Sequence, residues 1–124
     1  MASELRVNTL KDAAGNNSVG MTYVANGSGK AWVCFNGTGT AAILESFNTS
    51  SLTDNAQGRW HINLSNAFTN RNFAQTVAST AKTFNTSIDD GNKTASQASL
   101  ATRNDSQTWV DTDGCCIDCL GDLA

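Results

Sequence analysis

The sequence predicts an all-β fold of antiparallel strands, a β-sandwich-like knob preceded by an N-terminal arm. Proline is absent, and ten glycines separate short segments rich in β-branched and aromatic residues, which is the pattern of strands joined by turns. In the clearest segment, residues 59–64, the apolar Trp60, Ile62 and Leu64 alternate with polar residues, so one face of a strand is covered. No segment carries an apolar stripe over three helical turns. Without a crossover helix, neighbouring strands are expected to run antiparallel.

Residues 1–28 are predicted to form the arm. Apolar side chains at every second position predict a strand over 4–10, and a second short strand is expected over 19–24. A small β domain with a thin core gains stability by burying such a face between subunits. We expect the apolar side chains of the first strand to make the contacts of attachment and of subunit association. These are Leu5, Val7 and Leu10.

Residues 29–124 are predicted to form the knob. Its strands are expected over 31–36, 40–47, 59–64, 73–84, 96–103, 108–110 and 115–120. For 73–84 a short helix is the alternative, because alanine and glutamine are frequent there. A Ser/Thr-rich connection is expected over 48–52 and a turn over 54–58. The side chains assigned to the knob core are the large apolar ones Trp32, Phe35, Trp60, Ile62 and Leu64.

The scattered charges and the short apolar runs argue against two classes of partner, nucleic acid and a membrane. Charged residues make up 15% of the chain, against roughly 25% in ordinary soluble proteins, and the eight Lys and Arg residues are scattered singly. Binding to nucleic acid needs clustered cations that displace phosphate counterions, so no nucleic-acid partner is expected. No apolar run approaches the ~18 residues that cross a bilayer, and residues 1–12 lack the apolar core of a signal peptide. Neither membrane insertion nor ordinary secretion is therefore expected.

The sequence offers no catalytic constellation, and we expect neither enzyme activity nor a cofactor. The one histidine, His61, alternates to the face opposite its apolar neighbours, where a solvated or interface position is expected. No Gly-x-Ser-x-Gly nucleophile elbow occurs. Two aspartate pairs, Asp89 with Asp90 and Asp111 with Asp113, have the residue type used in glycoside hydrolysis. Each pair precedes a glycine turn in which aspartates bond the nearby backbone, so a carbohydrate-active domain is the weaker alternative.

Three of the four cysteines lie close together near the C-terminus, at Cys115, Cys116 and Cys119, and the fourth is Cys34. Cys116 and Cys119 have the Cys-x-x-Cys spacing of a zinc site. On a strand, however, these two side chains would point to opposite faces, and no second close pair is present. We expect no metal and free cysteines packed as small apolar residues. The alternatives are a zinc-binding domain and a disulfide from Cys34 to a C-terminal cysteine in an oxidising medium.

Four segments carry a resemblance to a known family. They are LRVNTL at 5–10, AWVCFNGTGT at 31–40, SFNTSSLTD at 46–54 and RWHINL at 59–64. In this order they resemble the tail-fibre proteins of bacteriophages, of the kind found in phages of cyanobacteria and other aquatic bacteria. The closing segment CCIDCLG at 115–121 departs from the family, whose last strand carries β-branched residues where this chain has cysteines.

The resemblance implies a β-sandwich-like knob, a homotrimer and a place on the virion. The chain is then expected to be a structural tail-fibre subunit that attaches to other tail or virion proteins, is assembled in the host cytoplasm and leaves the cell in the particle. A capsid decoration protein or a head or collar fibre protein is the alternative. Contact with a host-surface glycan or protein is a further expectation, assigned to the loop residues Asn70, Arg71, Asn72 and Trp109.

Overall fold

The computed structural model describes residues 3–80 and 85–124. The described part of the N-terminal arm is a small hairpin followed by a two-turn helix. It contains β1 (Thr9–Lys11), β2 (Ser18–Gly20) and α1 (Met21–Gly27). In the hairpin Leu10 pairs with Val19, and the Asp12 carboxylate accepts hydrogen bonds from the Asn16 N–H and the Asn17 amide, at 2.9 and 2.7 Å. The Asn17 amide, the largest cause, holds the pKa of Asp12 below its usual value.

Both strand predictions for the arm are wrong in extent. Only Thr9 and Leu10 of the segment 4–10 are in β1, because a strand needs a partner and the chain pairs no residue before Thr9 with β2. The strand expected over 19–24 ends at Gly20, and α1 begins at the next residue. Leu5 and Val7 therefore lie on irregular backbone.

The knob consists of two four-stranded antiparallel sheets, which confirms the all-β antiparallel prediction. Sheet I is formed by β3 (Gly29–Asn36), β4 (Ala42–Phe47), β7 (Ala74–Ser79) and β10 (Cys115–Leu120), in the order β4-β3-β10-β7. Sheet II is formed by β5 (Thr49–Ala56), β6 (Arg59–Leu64), β8 (Asn85–Ser87) and β9 (Gln97–Arg103), in the order β5-β6-β9-β8.

Several knob boundaries differ from the sequence predictions. The Ser/Thr-rich segment expected to connect two strands is itself a strand, β5, because it pairs with β6 along almost its whole length. The segment 108–110 forms only a bridge between Trp109 and Arg103. Of the strand predicted over 73–84, β7 covers 74–79, and residues 81–84 lie outside the described residues.

The core lies between the two sheets. Sheet I contributes the inward side chains of β3 and β10, and sheet II those of β6 and β9. The central contact joins the sheets: the rings of Phe35 and Trp60 meet edge to face with centroids 5.5 Å apart. Ile62 and Leu64 continue the same inner face of β6 and are buried. Full burial of each such side chain contributes about 1.5–3 kcal/mol to folding.

The assignment of Trp32 to the core is wrong. In β3 the buried side chains are Ala31, Val33 and Phe35, and a strand points successive side chains to opposite faces. Trp32 therefore projects from the outer face of sheet I, where it remains 38% exposed. The alternation of the segment already separates Trp32 from Phe35, so both could not be core residues.

His61 also differs from its predicted environment. Its position on the outer face of β6 agrees with the alternation, but the residue is only 8% exposed. Ser99, its partner on β9, is fully buried and donates a hydrogen bond to the carbonyl of Asp89, at 2.8 Å. The segment around Asp89 thus lies over this part of sheet II, and the histidine is covered rather than solvated.

Candidate interaction surfaces

The first candidate surface is the apolar part of the arm. Leu5 is 80% exposed and Tyr23 is 78% exposed, and Leu10 and Val19 are also exposed on the paired strands β1 and β2. Val7 is half-buried. A small hairpin that leaves its large side chains in water has no core of its own. Of the three residues predicted to make subunit contacts, Leu5 and Leu10 are thus available for a partner.

Few hydrogen bonds join the arm to the knob among the described residues. Within residues 3–80 and 85–124, the hydrogen bonds of the arm join arm residues to one another. One exception joins the Lys30 ammonium to the Ser28 hydroxyl at 2.6 Å, next to the residue at which β3 begins. The core cluster contains only residues from Ala31 onward. Among the described residues, the arm therefore adds no side chain to this core.

The second candidate surface is the outer face of sheet I, which we call the Trp32 face. Trp32 is the cross-strand partner of Phe47 on one side and of Asp118 on the other. Phe47 is 55% exposed, so the two aromatic side chains form an open apolar strip. Beside this strip is a largely apolar groove of about 350 Å³, whose outward-facing wall is made by Trp32, Cys34, Thr76, Ala78, Cys116 and Asp118.

Two of the four cysteines meet on the Trp32 face. Cys34 of β3 is the direct partner of Cys116 of β10, and their sulfur atoms are 2.6 Å apart. Both residues are half-buried. Burial first, and then the contact with Cys34, raises the pKa of Cys116 to about 11.

The other two cysteines face the core. Cys115 and Cys119 are buried between the sheets, and this burial raises the pKa of each thiol to about 12. They behave as small apolar side chains, as the sequence predicted for free cysteines. The strand β10 therefore separates Cys116 from Cys115 and Cys119, as its alternation required.

The predicted receptor-facing residues occupy two places. Asn70, Arg71 and Asn72 are exposed; the Arg71 guanidinium forms an ion pair with Asp90 at 2.9 Å, and Asn70 accepts a hydrogen bond from the Asn72 N–H at 2.8 Å.

Trp109 lies instead against sheet II. Its ring is covered by the guanidinium groups of Arg103 and Arg59, at 3.8 and 5.4 Å from the ring centroid. This half-buried tryptophan is held by two cations, an arrangement that stabilises the fold locally.

Aspartates considered for glycoside hydrolysis accept hydrogen bonds from other parts of the fold. Asp89 accepts hydrogen bonds from Arg59, and Asp111 accepts one from the Gly58 N–H at 2.7 Å. Among the described residues, no group of three or more His, Cys, Asp and Glu side chains could hold a metal ion. In the same part of the chain, no helix has the length and apolar character needed to cross a membrane.

No known family model, curated protein or solved structure matches the chain.

Sequence reasoning missed three features of these surfaces. The first is the exposure of Val19 in β2 and of Tyr23 in α1. Phe47 was not paired with Trp32, although both flank one glycine-rich turn and a hairpin register would have brought them together. The meeting of Cys34 with Cys116 needs the order of the strands in sheet I, for which the sequence has no local signal.

Proposed function

We propose that this protein is a structural subunit of a bacteriophage particle, a tail-fibre or related appendage subunit that associates with two further copies through its arm. The observation that carries the proposal is the arm itself: residues 3–28 present Leu5, Leu10, Val19 and Tyr23 to solvent, beside a knob that has its own closed core. Apolar side chains arranged in this way are typical of a surface that is covered in an assembly.

The occupant we assign to this surface is the arm of another copy. Every copy presents the same exposed apolar side chains on its arm, and three arms packed together remove these side chains from water in every subunit. Full burial of one leucine contributes about 1.5–3 kcal/mol. The number three follows the resemblance to tail-fibre proteins.

The knob suits an outward position on a particle. Its two sheets have four edge strands, β4, β7, β5 and β8, and its surface is rich in Asn, Ser and Thr rather than in charge. Exposed strand edges without proline are sites at which sheets of different chains pair. Oligomerisation that shields such edges would favour a soluble, ordered appendage over aggregation.

Incorporation into particles tests the proposal. In a phage that encodes this chain, we expect the chain in purified particles, and we expect a version lacking residues 2–28 to be absent from them while its knob still folds. Gly91→Ala, which changes a surface position with open space around it, is the control that should be incorporated normally. A full-length chain that is expressed in infected cells but missing from particles would contradict the proposal.

Antibody labelling of intact particles separates the two versions of this function. Label at the tail supports a tail-fibre subunit. Label at the head or collar supports the alternative, a capsid decoration or a head or collar fibre protein, for which the arm would bind other virion proteins in the same way.

A further inference from the structure

Cys34 and Cys116 lie opposite each other at the centre of sheet I. The strands β3 and β10 are the two inner strands of this sheet, and the antiparallel register makes these residues direct partners. Directly opposed residues in antiparallel strands have Cα atoms about 4.5–5.5 Å apart, within the ~4.4–6.8 Å that a disulfide spans. Their side chains leave the sheet on the same face, and the sulfur atoms are 2.6 Å apart. A bond between them can form without a change in strand pairing.

Small molecules can reach this pair. Both cysteines line the groove on the Trp32 face, between Trp32 and Ala78, and both are half-buried rather than enclosed. Cys115 and Cys119, on the other face of β10, are buried between the sheets. The fold therefore offers one accessible pair of thiols and keeps the remaining two out of contact with dissolved reagents.

We propose that Cys34 and Cys116 are an oxidisable thiol pair that forms a reversible cross-strand disulfide by exchange with a small-molecule disulfide. This inference concerns the purified chain alone and does not depend on the proposed place in a virion. Its oxidant is a low-molecular-weight disulfide of the kind R–S–S–R, which the groove can admit beside the pair.

The exchange has two steps. One protein thiol loses its proton, and its sulfur attacks R–S–S–R, which forms a mixed disulfide and releases one R–S⁻. The second protein thiol loses its proton and attacks the protein sulfur of the mixed disulfide, which forms the Cys34–Cys116 bond and releases the second R–S⁻. The two released thiolates take up the two protons. The protein pair is oxidised by two electrons, and one R–S–S–R is reduced to two R–SH.

The bond would link residues that are 82 positions apart in the chain. Closing so long a loop restricts the unfolded chain strongly, so the folded state gains stability relative to it. For a domain of this size we expect the melting temperature to rise on the order of 10 °C. Because the thiolate is the attacking species and the pKa of Cys116 lies at about 11, formation of the bond should accelerate as the pH is raised from neutrality.

Oxidised glutathione at pH 8 is the probe that tests the inference. The folded wild-type chain should lose two hydrogen atoms by intact mass, and two of its four thiols should resist alkylation after unfolding. Digestion with trypsin should give a peptide of residues 31–59 linked to one of residues 104–124. Cys34→Ala and Cys116→Ala should each stop at a glutathione adduct, and neither should show the rise in melting temperature. A reductant should reverse the change in the wild type.

Cys115→Ala is the matched control, since it removes a neighbour of Cys116 that faces the core. This variant should form the disulfide as the wild type does. A wild-type chain that keeps four alkylatable thiols, or a bond that survives in Cys116→Ala but is lost in Cys115→Ala, would overturn the inference. Because the assay uses purified protein, its failure is distinct from a failure of particle incorporation.

Discussion

Arg59 donates two hydrogen bonds, from Nε and Nη2, to the same carboxylate oxygen of Asp89, at 2.9 and 2.7 Å. The Asn92 side-chain amide donates a third to this oxygen, at 2.9 Å. Both partners of the ion pair are partly buried, and the Arg59 guanidinium also lies over the ring of Trp109. Asp89 therefore fixes the segment that crosses the outer face of sheet II.

We expect Asp89→Ala to destabilise the knob by about 2 kcal/mol, because it leaves the partly buried Arg59 without its charged partner and removes three hydrogen bonds. Asp90→Ala is the matched control: its ion pair with Arg71 is exposed, and such pairs contribute at most about 1 kcal/mol. Urea unfolding of both variants measures the difference. Equal losses would show that Asp89 has no special structural role.

Gly37 offers a second test, because the indole of Trp60 occupies the space that a Cβ atom at this position would need. A Cβ atom at Gly37 would collide with the Trp60 ring and would approach the Thr112 carbonyl oxygen to 2.8 Å. Since Trp60 is the centre of the contact between the sheets, Gly37→Ala should cost about 3 kcal/mol of unfolding free energy. Gly91→Ala, with open space at its Cβ, should change stability by less than about 0.5 kcal/mol. A tolerated Gly37→Ala would mean that the core is looser than its geometry indicates.

The sequence correctly predicts the strands whose buried side chains lie mainly on one face. The bounds of β6 and β10 agree with the predictions over 59–64 and 115–120, because inward residues recur at every second position there. The helix α1 was not predicted: its seven residues carry no side-chain cap and no apolar stripe, so nothing local separates them from a strand.

The errors at individual sites have a different cause. His61 is buried although it lies on the outer face of β6, and the segment around Asp89 is held against Arg59 and Ser99 on either side of it. The contact of Cys34 with Cys116 depends on the order of the strands. Periodicity assigns a residue to a face, but only the tertiary fold decides whether that face is covered. Trp32 lies on an uncovered face, so its alternation in β3 predicts its exposure and the size of its side chain does not predict burial.

The core thiols give a prediction about alkaline pH. Burial raises the pKa of Cys115 and Cys119 to about 12, whereas in the unfolded chain these thiols ionise near 9.0. Below pH 9 both states are protonated and the folded state keeps its full stability. Between pH 9 and 12 the unfolded state releases protons that the folded state retains, so stability falls by about 1.4 kcal/mol per pH unit for each thiol.

Urea unfolding in the presence of a reductant, repeated between pH 7 and 11, checks this slope. Burial also lowers the pKa of Lys93, and this shift makes stability rise with pH below pH 10.5. Comparing the wild type with Cys119→Ala therefore isolates the effect of one thiol. That variant should lose stability less steeply above pH 9 than the wild type. Identical slopes for the two proteins would contradict the assignment of Cys119 to the dry core.

The arm gives a prediction about self-association. Leu5→Ser combined with Leu10→Ser should weaken subunit association at least about 100-fold, because two apolar side chains per subunit lose their benefit from burial. The knob of this double variant should keep its melting temperature, because the core contains neither Leu5 nor Leu10. Leu44→Ser, which removes an exposed leucine from β4 of the knob, should leave association unchanged. Equal effects of the arm and knob variants would remove the arm from the association surface.

The subunit number in solution tests the central claim most directly. Sedimentation equilibrium of the full chain over a range of concentrations should give a mass three times the 13.1 kDa of one chain, and the chain lacking residues 2–28 should give the mass of one knob. A full-length protein that stays monomeric at every concentration would contradict the account.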